Sequence, residues 1–163
     1  MIQGGNEHFE VSARTTATSF GGLPLMHRLV TQIGLAGSID RHLDLLKAKC
    51  PYHESDHVLS LAYNVLCGGR MLDDLALRRQ DAAYLDAIGA KRVPDATTSG
   101  DFLRRFERGD IDDLGEAIHE ARHRVWRAQP KEFFRQAIID VDGTMAATTD
   151  ECKEGMEMSF KGI

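Results

Sequence analysis

Apolar residues recur with helical spacing over most of this chain, from Gly22 to about Gln129. The predicted helices carry these apolar sets in chain order: Leu25, Leu29 and Ile33; Ile39, Leu43 and Leu46; Val58, Leu61, Ala62, Val65 and Leu66; Leu72, Leu75 and Ala76; the stretch 83–88; Phe102, Leu103 and Phe106; and Ile111, Leu114, Ile118, Ala121 and Val125. The pattern predicts a helical domain at 19–130. The polar, aperiodic stretch 1–18 before it reads as a flexible N-terminal arm.

Local signals set the expected helix ends. Ser38 and Ser55 are the expected N-caps of the second and third helices, and Thr98 to Asp101 reads as a capping box. The pair Gly68-Gly69, then Gly89 and Gly109, are expected to end the third, fifth and sixth helices, since glycine favours helix C-termini.

The hydrophobic period changes after Pro130. The stretches 136–141, 144–149 and 156–160 read as short strands, and their short connections allow only antiparallel pairing. We therefore expect a mainly α protein in which a helical domain is followed, at 131–163, by the first antiparallel strands of a sheet. Asp140 and Asp142 would share one face of the first strand, where buried carboxylates need a metal, hydrogen bonds or chemistry.

Composition narrows the compartment. The chain has 163 residues, is 42% hydrophobic and 28% charged, and contains no run of eighteen apolar residues, so no membrane span is expected. The N-terminus has neither the basic start nor the apolar stretch of a secretion signal. Three irregularly spaced cysteines fit reduced thiols, which indicates a cytoplasmic protein.

The charge of the chain limits the kinds of binding partner that we expect. A formal net charge of −5 argues against coating of nucleic acid over the whole surface, but not against one local basic face. Arg104, Arg105 and Arg108 form a basic cluster and are the best candidates for phosphate contacts, which position a protein without reading sequence. The alternative is that they form only a solvated helix face.

A set of motifs then recurs in a specific order. These are Gly-Gly-Leu-Pro-Leu at 21–25, Ser-Asp-His-Val-Leu at 55–59, Gly-Gly at 68–69, Asp-Asp-Leu at 73–75, Pro-Asp-Ala-Thr-Thr-Ser-Gly-Asp-Phe-Leu-Arg-Arg-Phe at 94–106, Asp-Val-Asp-Gly-Thr at 140–144 and Glu-Cys-Lys-Glu-Gly at 151–155. From about residue 10 to 163, the chain resembles the DDE transposases of bacterial insertion sequences, in the thirteen-eighty group.

The resemblance implies a helical region that binds element ends, followed by a ribonuclease-H-like catalytic domain. By position, Asp142 would be the first acid of the Asp, Asp, Glu triad and a metal ligand, with Asp140 as second choice. Such triads hold two Mg²⁺ ions for phosphodiester strand transfer. The second Asp and the Glu are missing, so the expectation is a truncated N-terminal fragment, inactive alone.

Such a fragment would still be expected to bind the inverted repeats of the element. The resemblance also implies association with the nucleoid, and oligomers with itself or with a full-length transposase.

Three other interpretations remain open. Asp140-Val-Asp142-Gly-Thr also resembles the first motif of haloacid-dehalogenase-like phosphatases, in which Asp140 would be the nucleophile and Asp142 a general acid. His119-Glu-Ala-Arg-His123 fits a zinc-protease pattern, although the charged residues around it favour plain helix surface. The chain would otherwise be an inert gene fragment, whose unfinished sheet would expose an unpaired edge.

Overall fold

The computed structural model describes residues 17–48 and 51–141. The chain divides into two compact units, Met1–Gln129 and Pro130–Ile163. The helices described in the first unit are α1 (Leu23–Gln32), α2 (Leu35–His42), α3 (Glu54–Leu66), α4 (Leu75–Gln80), α5 (Ala82–Ala87), α6 (Ala96–Leu103) and α7 (Arg108–Arg127), and a 3₁₀ turn at Leu72–Asp74 precedes α4.

The first unit packs around two apolar clusters. One joins α1, α3 and α5 through Leu23, Tyr63, Cys67, Tyr84, Ile88 and Val93. The other joins α2 to α7 through Ile39, Leu43 and Ala117, with Leu35, Val58, Phe106 and Leu114 packed around them. The side chain of Cys67 is a free thiol buried in the first cluster.

Polar side chains close the C-terminal end of α3. Arg78 is 7% exposed, and its guanidinium donates to the carbonyl of Cys67 at 2.7 Å and to the amide oxygen of Asn64 at 3.3 Å. The same guanidinium lies 4.6 Å from the ring centroid of Phe20. The carbonyl of the C-cap residue Cys67 is thus satisfied by a cation.

The glycines that follow α3 and α5 end those helices as expected. Gly68 has φ 80° and Gly89 has φ 64°, the left-handed conformation that glycine adopts without strain. Gly109, by contrast, does not end a helix, because it lies in the first turn of α7. That prediction was wrong: α6 already ends at Leu103.

The predicted serine and threonine caps were also wrong. Ser38 lies inside α2, which begins straight after the left-handed Gly34, at φ 64°. Ser55 lies in the first turn of α3, where its backbone N–H and its hydroxyl both donate to Asp40. The cap of α6 is Asp95, which accepts from the backbone N–H of Thr98 at 2.8 Å. The carboxylate of Asp95, three residues before Thr98, therefore caps α6 in place of the expected Thr98.

The buried face of α7 differs from the predicted stripe. Ala117 and Ala121 are buried, whereas Ile111, Ile118 and Val125 are exposed. Leu114 and Ala121 of the predicted stripe do face the core, together with Ala117, which was not expected there and whose small side chain lets α7 approach α2 closely. On α3 likewise, Val65 and Leu66 are exposed although they were expected in an apolar face.

No strand occurs in 17–48 or 51–141, so the antiparallel strands expected to open a ribonuclease-H-like sheet are contradicted for this part of the chain. After a 3₁₀ turn at Lys131–Arg135, the first expected strand (136–141) has no regular structure and is exposed throughout. Ile138, Ile139 and Val141 are each more than 80% exposed. An extended segment becomes a strand only when a neighbour pairs with it. The second and third expected strands, and most of the arm at 1–18, lie outside the described residues.

None of the helices in the described ranges combines the length and the apolar composition that a bilayer span requires.

Candidate functional site

The connection between α6 and α7 gathers the three arginines that were predicted to contact phosphate. Arg104 is the C-cap of α6, Arg105 follows it, and Arg108 is the first residue of α7. All three are exposed. A short connection between two helices therefore presents three guanidinium groups to solvent, each able to donate a pair of hydrogen bonds to phosphate oxygens.

Each of these arginines has a different local environment. Arg104 forms an ion pair with Asp101 one helical turn earlier, at 2.8 Å. Arg105 donates to the backbone carbonyl of Leu45 at 3.0 Å. Arg108 makes no ion pair within the part of the chain that the structure describes. It lies between Glu107 and Asp110, which form the capping box at the N-terminus of α7.

The hydrogen bond from Arg105 extends this basic region in a way that the sequence did not predict. It brings the segment after α2 beside the α6–α7 connection, and that segment carries the exposed Lys47. Because Leu45 and Arg105 are 60 positions apart, helical periodicity gave no signal for this contact. We name Lys47, Arg104, Arg105 and Arg108 the basic surface.

A series of ring contacts connects α3 to α6 and to the segment after α6, which carries three arginines of the basic surface. The ring of His57 stacks on Phe102 at 4.4 Å between centroids, and Phe102 meets Phe106 edge to face at 5.3 Å. Tyr52 contacts His57 edge to face at 5.6 Å, and the guanidinium of Arg92 lies 5.4 Å from the Tyr52 ring. These ring contacts hold α6 against α3. They thereby fix the position of the α6–α7 connection that carries the arginines.

Burial lowers the pKa of His57, because transfer from water disfavours the charged ring. The side chain is 2% exposed, and its Nδ1 has no hydrogen-bond partner in the described part of the protein. A neutral ring stacked on Phe102 is therefore the state that packs here.

The carboxylates predicted for catalysis are not gathered into a site. Asp142, the expected catalytic and metal-binding residue, lies outside the described residues. Asp140 is exposed in the irregular segment that ends at Val141. Within the described ranges, it belongs to no group of side chains close enough to share a metal ion. The roles expected for Asp140, Asp142 and Mg²⁺ stay predictions.

A different trio, Asp40, His53 and Glu54, has ligand atoms within 4.8 Å of one another. Both oxygens of Asp40 already accept hydrogen bonds from Ser55, at 2.8 and 2.9 Å, and Glu54 accepts from the backbone N–H of Leu46 at 3.2 Å. These bonds fasten α2 and the segment after it to the first turn of α3. We interpret the trio as a structural junction.

The zinc-protease pattern on α7 is confirmed as helix surface. His119 and His123 are exposed, and Glu120 is engaged by side chains of α2. Its carboxylate accepts from Ser38, from Arg41 at 2.7 and 2.9 Å, and from Arg124 at 2.6 Å. The hydroxyl of Ser38 and the two guanidinium groups lower the pKa of Glu120 to about 2. A carboxylate held in this way does not serve as a base.

Comparison with protein-family models, with curated proteins and with solved structures found no match to this chain.

Proposed function

We propose that the helical unit is a DNA-binding module of transposase type, which contacts the phosphate backbone through the basic surface and performs no catalysis by itself. The observation that carries the proposal is the exposed position of Arg104, Arg105 and Arg108 in one short interhelical connection. The resemblance of the ordered motifs to transposases supplies the class of partner.

The charge balance supports a local interface. With a net charge of −5, the chain as a whole repels a polyanion, so binding requires a concentrated basic region. Arg108 lies at the N-terminus of α7, where Glu107 and Asp110 form a capping box, and none of the ion pairs of the described residues includes it. Its exposed guanidinium is therefore available to a phosphate.

The described surface offers little to a small-molecule enzyme. Two of its depressions are open to solvent, and they are lined by residues drawn from 82–91 and from 73–97. Sites for small molecules usually enclose most of the ligand in a cleft. The exposed basic connection therefore supports a binding role better than these depressions support a catalytic one.

The proposal is tested by fluorescence anisotropy with a labelled random-sequence duplex at about 50 mM salt. Random sequence suffices because phosphate contacts carry no base information. We expect the triple variant R104Q/R105Q/R108Q to bind at least about tenfold more weakly than the unaltered protein. The matched control R28Q/R70Q/R135Q removes three exposed arginines elsewhere and should weaken binding much less. Equal losses in the two variants, or no binding by the unaltered protein, would refute the proposal.

A further inference from the structure

One side of α7 carries an apolar stripe that nothing in the described part of the first unit covers. Ile111, Ile118 and Val125 are spaced seven residues apart and are 61%, 42% and 37% exposed. Trp126, 41% exposed, extends the stripe at its C-terminal end, where Arg122 lies 6.0 Å from the indole centroid. A repeat of seven keeps side chains on one seam of a helix, the arrangement used when two helices pair along their length.

The charges of the same helix are strongly segregated. Its first half, 108–117, holds Asp110, Asp112, Asp113 and Glu116 against the single cation Arg108. Its second half, 118–127, holds Arg122, Arg124 and Arg127 against the single acid Glu120, and that acid is already engaged by Arg41 and Arg124. The exposed part of α7 is thus acidic at one end and basic at the other.

We infer that this stripe is the contact between two copies of the chain, with the two α7 helices antiparallel and crossing at Ile118. Ile118 lies midway between Ile111 and Val125, so a two-fold axis at Ile118 sets Ile111 of each copy against Val125 of the other.

The same arrangement places the acidic half of each helix beside the basic half of its partner. A parallel pair would instead oppose acid to acid and base to base, which is repulsive. Charge complementarity therefore favours a second copy of the chain as the partner of the stripe. It also favours the antiparallel direction of the two α7 helices.

The contact is small. A helix of 20 residues is about 30 Å long, so two such helices bury less surface than a standard stable interface. We expect a reversible dimer that dissociates on dilution and weakens as salt screens the charged flanks. The inference does not rest on the proposed DNA binding, because the stripe and the basic surface consist of different residues. The measurement of dimerisation also contains no DNA.

Sedimentation equilibrium of the full chain over a wide concentration range measures the association. The unaltered protein should dimerise, and Ile118→Asp should weaken dimerisation by more than about tenfold, since a charge would be buried at the centre of the contact. Leu77→Asp is the matched control: Leu77 is 61% exposed on α4, away from the stripe, and its replacement should leave the dimer intact. Circular dichroism establishes that both variants are folded.

A charge-exchange experiment tests the direction. D112K/E116K replaces two of the four acids in the first half of α7 by lysine, and R122E/R127E replaces two of the three arginines in the second half by glutamate. Each variant alone should self-associate about three- to tenfold more weakly, and an equimolar mixture should recover association as a heterodimer.

Two outcomes would overturn the inference. One is a wild-type protein that stays monomeric at every concentration, which would leave the stripe to another segment or partner. The other is a mixture that associates no better than its components.

Discussion

Several polar side chains of this protein are held in place by one or two identified neighbours. His57 is enclosed by the rings of Tyr52 and Phe102, and Arg78 is anchored by Asn64 and the carbonyl of Cys67. On the basic surface, Arg104 is restrained by Asp101. For single substitutions at such residues, the direction of the change in stability or in DNA affinity can therefore be stated in advance.

Asp101 competes with DNA for Arg104 in the proposed interface. Because the ion pair is exposed, its loss should cost little stability. Asp101→Asn removes a negative charge and frees the guanidinium, so we expect DNA affinity to rise by about two- to fivefold in the anisotropy assay. Asp86→Asn, an exposed acid on α5, is the control for a mere change in net charge. Unchanged or reduced affinity in Asp101→Asn would count against phosphate contact by Arg104.

His57 should make stability depend on pH near neutrality. Its pKa in the folded protein is below the ordinary value of 6.5, chiefly because of burial, so the unfolded chain binds the proton more readily. The contribution to stability is present above pH 6.5 and is lost as the pH falls below it. His57→Phe keeps the stacked ring and removes the titration, so its urea midpoint should change less between pH 7.5 and 5.5. His119→Gln, on the exposed surface of α7, should keep the wild-type dependence; an equally steep dependence in His57→Phe would contradict this account.

The side chain of Asn64 leaves no room for a Cβ atom at Gly69. A Cβ at this position would lie 2.3 Å from the side-chain oxygen of Asn64 and 2.5 Å from its Cγ. Gly69→Ala should displace Asn64 from Arg78 and reduce the free energy of unfolding by about 1–3 kcal/mol. Gly115→Ala, in the middle of α7 with nothing within 4 Å, should instead stabilise by roughly 0.5–1 kcal/mol. Urea denaturation distinguishes the two; a neutral Gly69→Ala would show that Asn64 is not fixed.

At the scale of elements, α7 is attached to the N-terminal helices by a polar network as well as by its alanines. Glu120 joins Ser38 and Arg41 of α2, and Arg124 donates to the backbone carbonyls of Ile33 and Gly34 between α1 and α2. A Cβ on Gly34 would lie 2.8 Å from that guanidinium, so glycine serves both the left-handed turn and the close approach. One helix therefore fixes the α1–α2 corner.

Removing the carboxylate of Glu120 should loosen this joint. Glu120→Gln is expected to lower the melting temperature, because two guanidinium groups lose their acceptor charge. The pKa of Glu120 is lowered from 4.5 to about 2, so its contribution is present above pH 4.5 and is lost as the pH falls towards 2. The variant should therefore lose less stability than wild type over that interval. Glu116→Gln, one turn earlier and exposed, is the control; an identical melting temperature in Glu120→Gln would refute the role.

The helices were largely predictable from sequence, but the faces they bury were not. Periodicity located α5 and its closing Gly89, because both signals are local. It located Ala121 on the buried face of α7, but it could not show that Ala117 would be buried while Ile111 and Ile118 stayed exposed, since that choice depends on how closely α2 approaches. The cap at Asp95 was missed because Thr98 also matches the local preference for an N-cap. The N-cap of α3 is His53, and it was missed because the nearby Ser55 matches that preference better than a histidine does.

The site was predictable only in part for the same reason. Arg104, Arg105 and Arg108 are neighbours in sequence, so their clustering needed no tertiary information. The approach of Lys47 depends on a hydrogen bond across 60 positions. The strand predicted for 136–141 failed because alternation of apolar residues cannot reveal whether a pairing neighbour exists.

At the scale of the whole molecule, the proposals assign different surfaces to different partners. The basic surface, between α6 and α7, is offered to DNA, and the apolar stripe along α7 to a second copy of the chain. Because Arg108 opens α7 and Ile111 follows within one turn, a dimer through the stripe would present two basic surfaces. Two linked surfaces would raise the affinity for a duplex long enough to reach both.

The most direct test of the central claim, that the arginines between α6 and α7 contact phosphates, is the salt dependence of duplex binding. Each phosphate contact contributes about −0.9 to the slope of log K against log salt concentration. We expect R104Q/R105Q/R108Q to flatten the slope by about 2 to 3, and R28Q/R70Q/R135Q to change it by less than about 1. Equal slopes in the triple arginine variant and the unaltered protein would contradict the account.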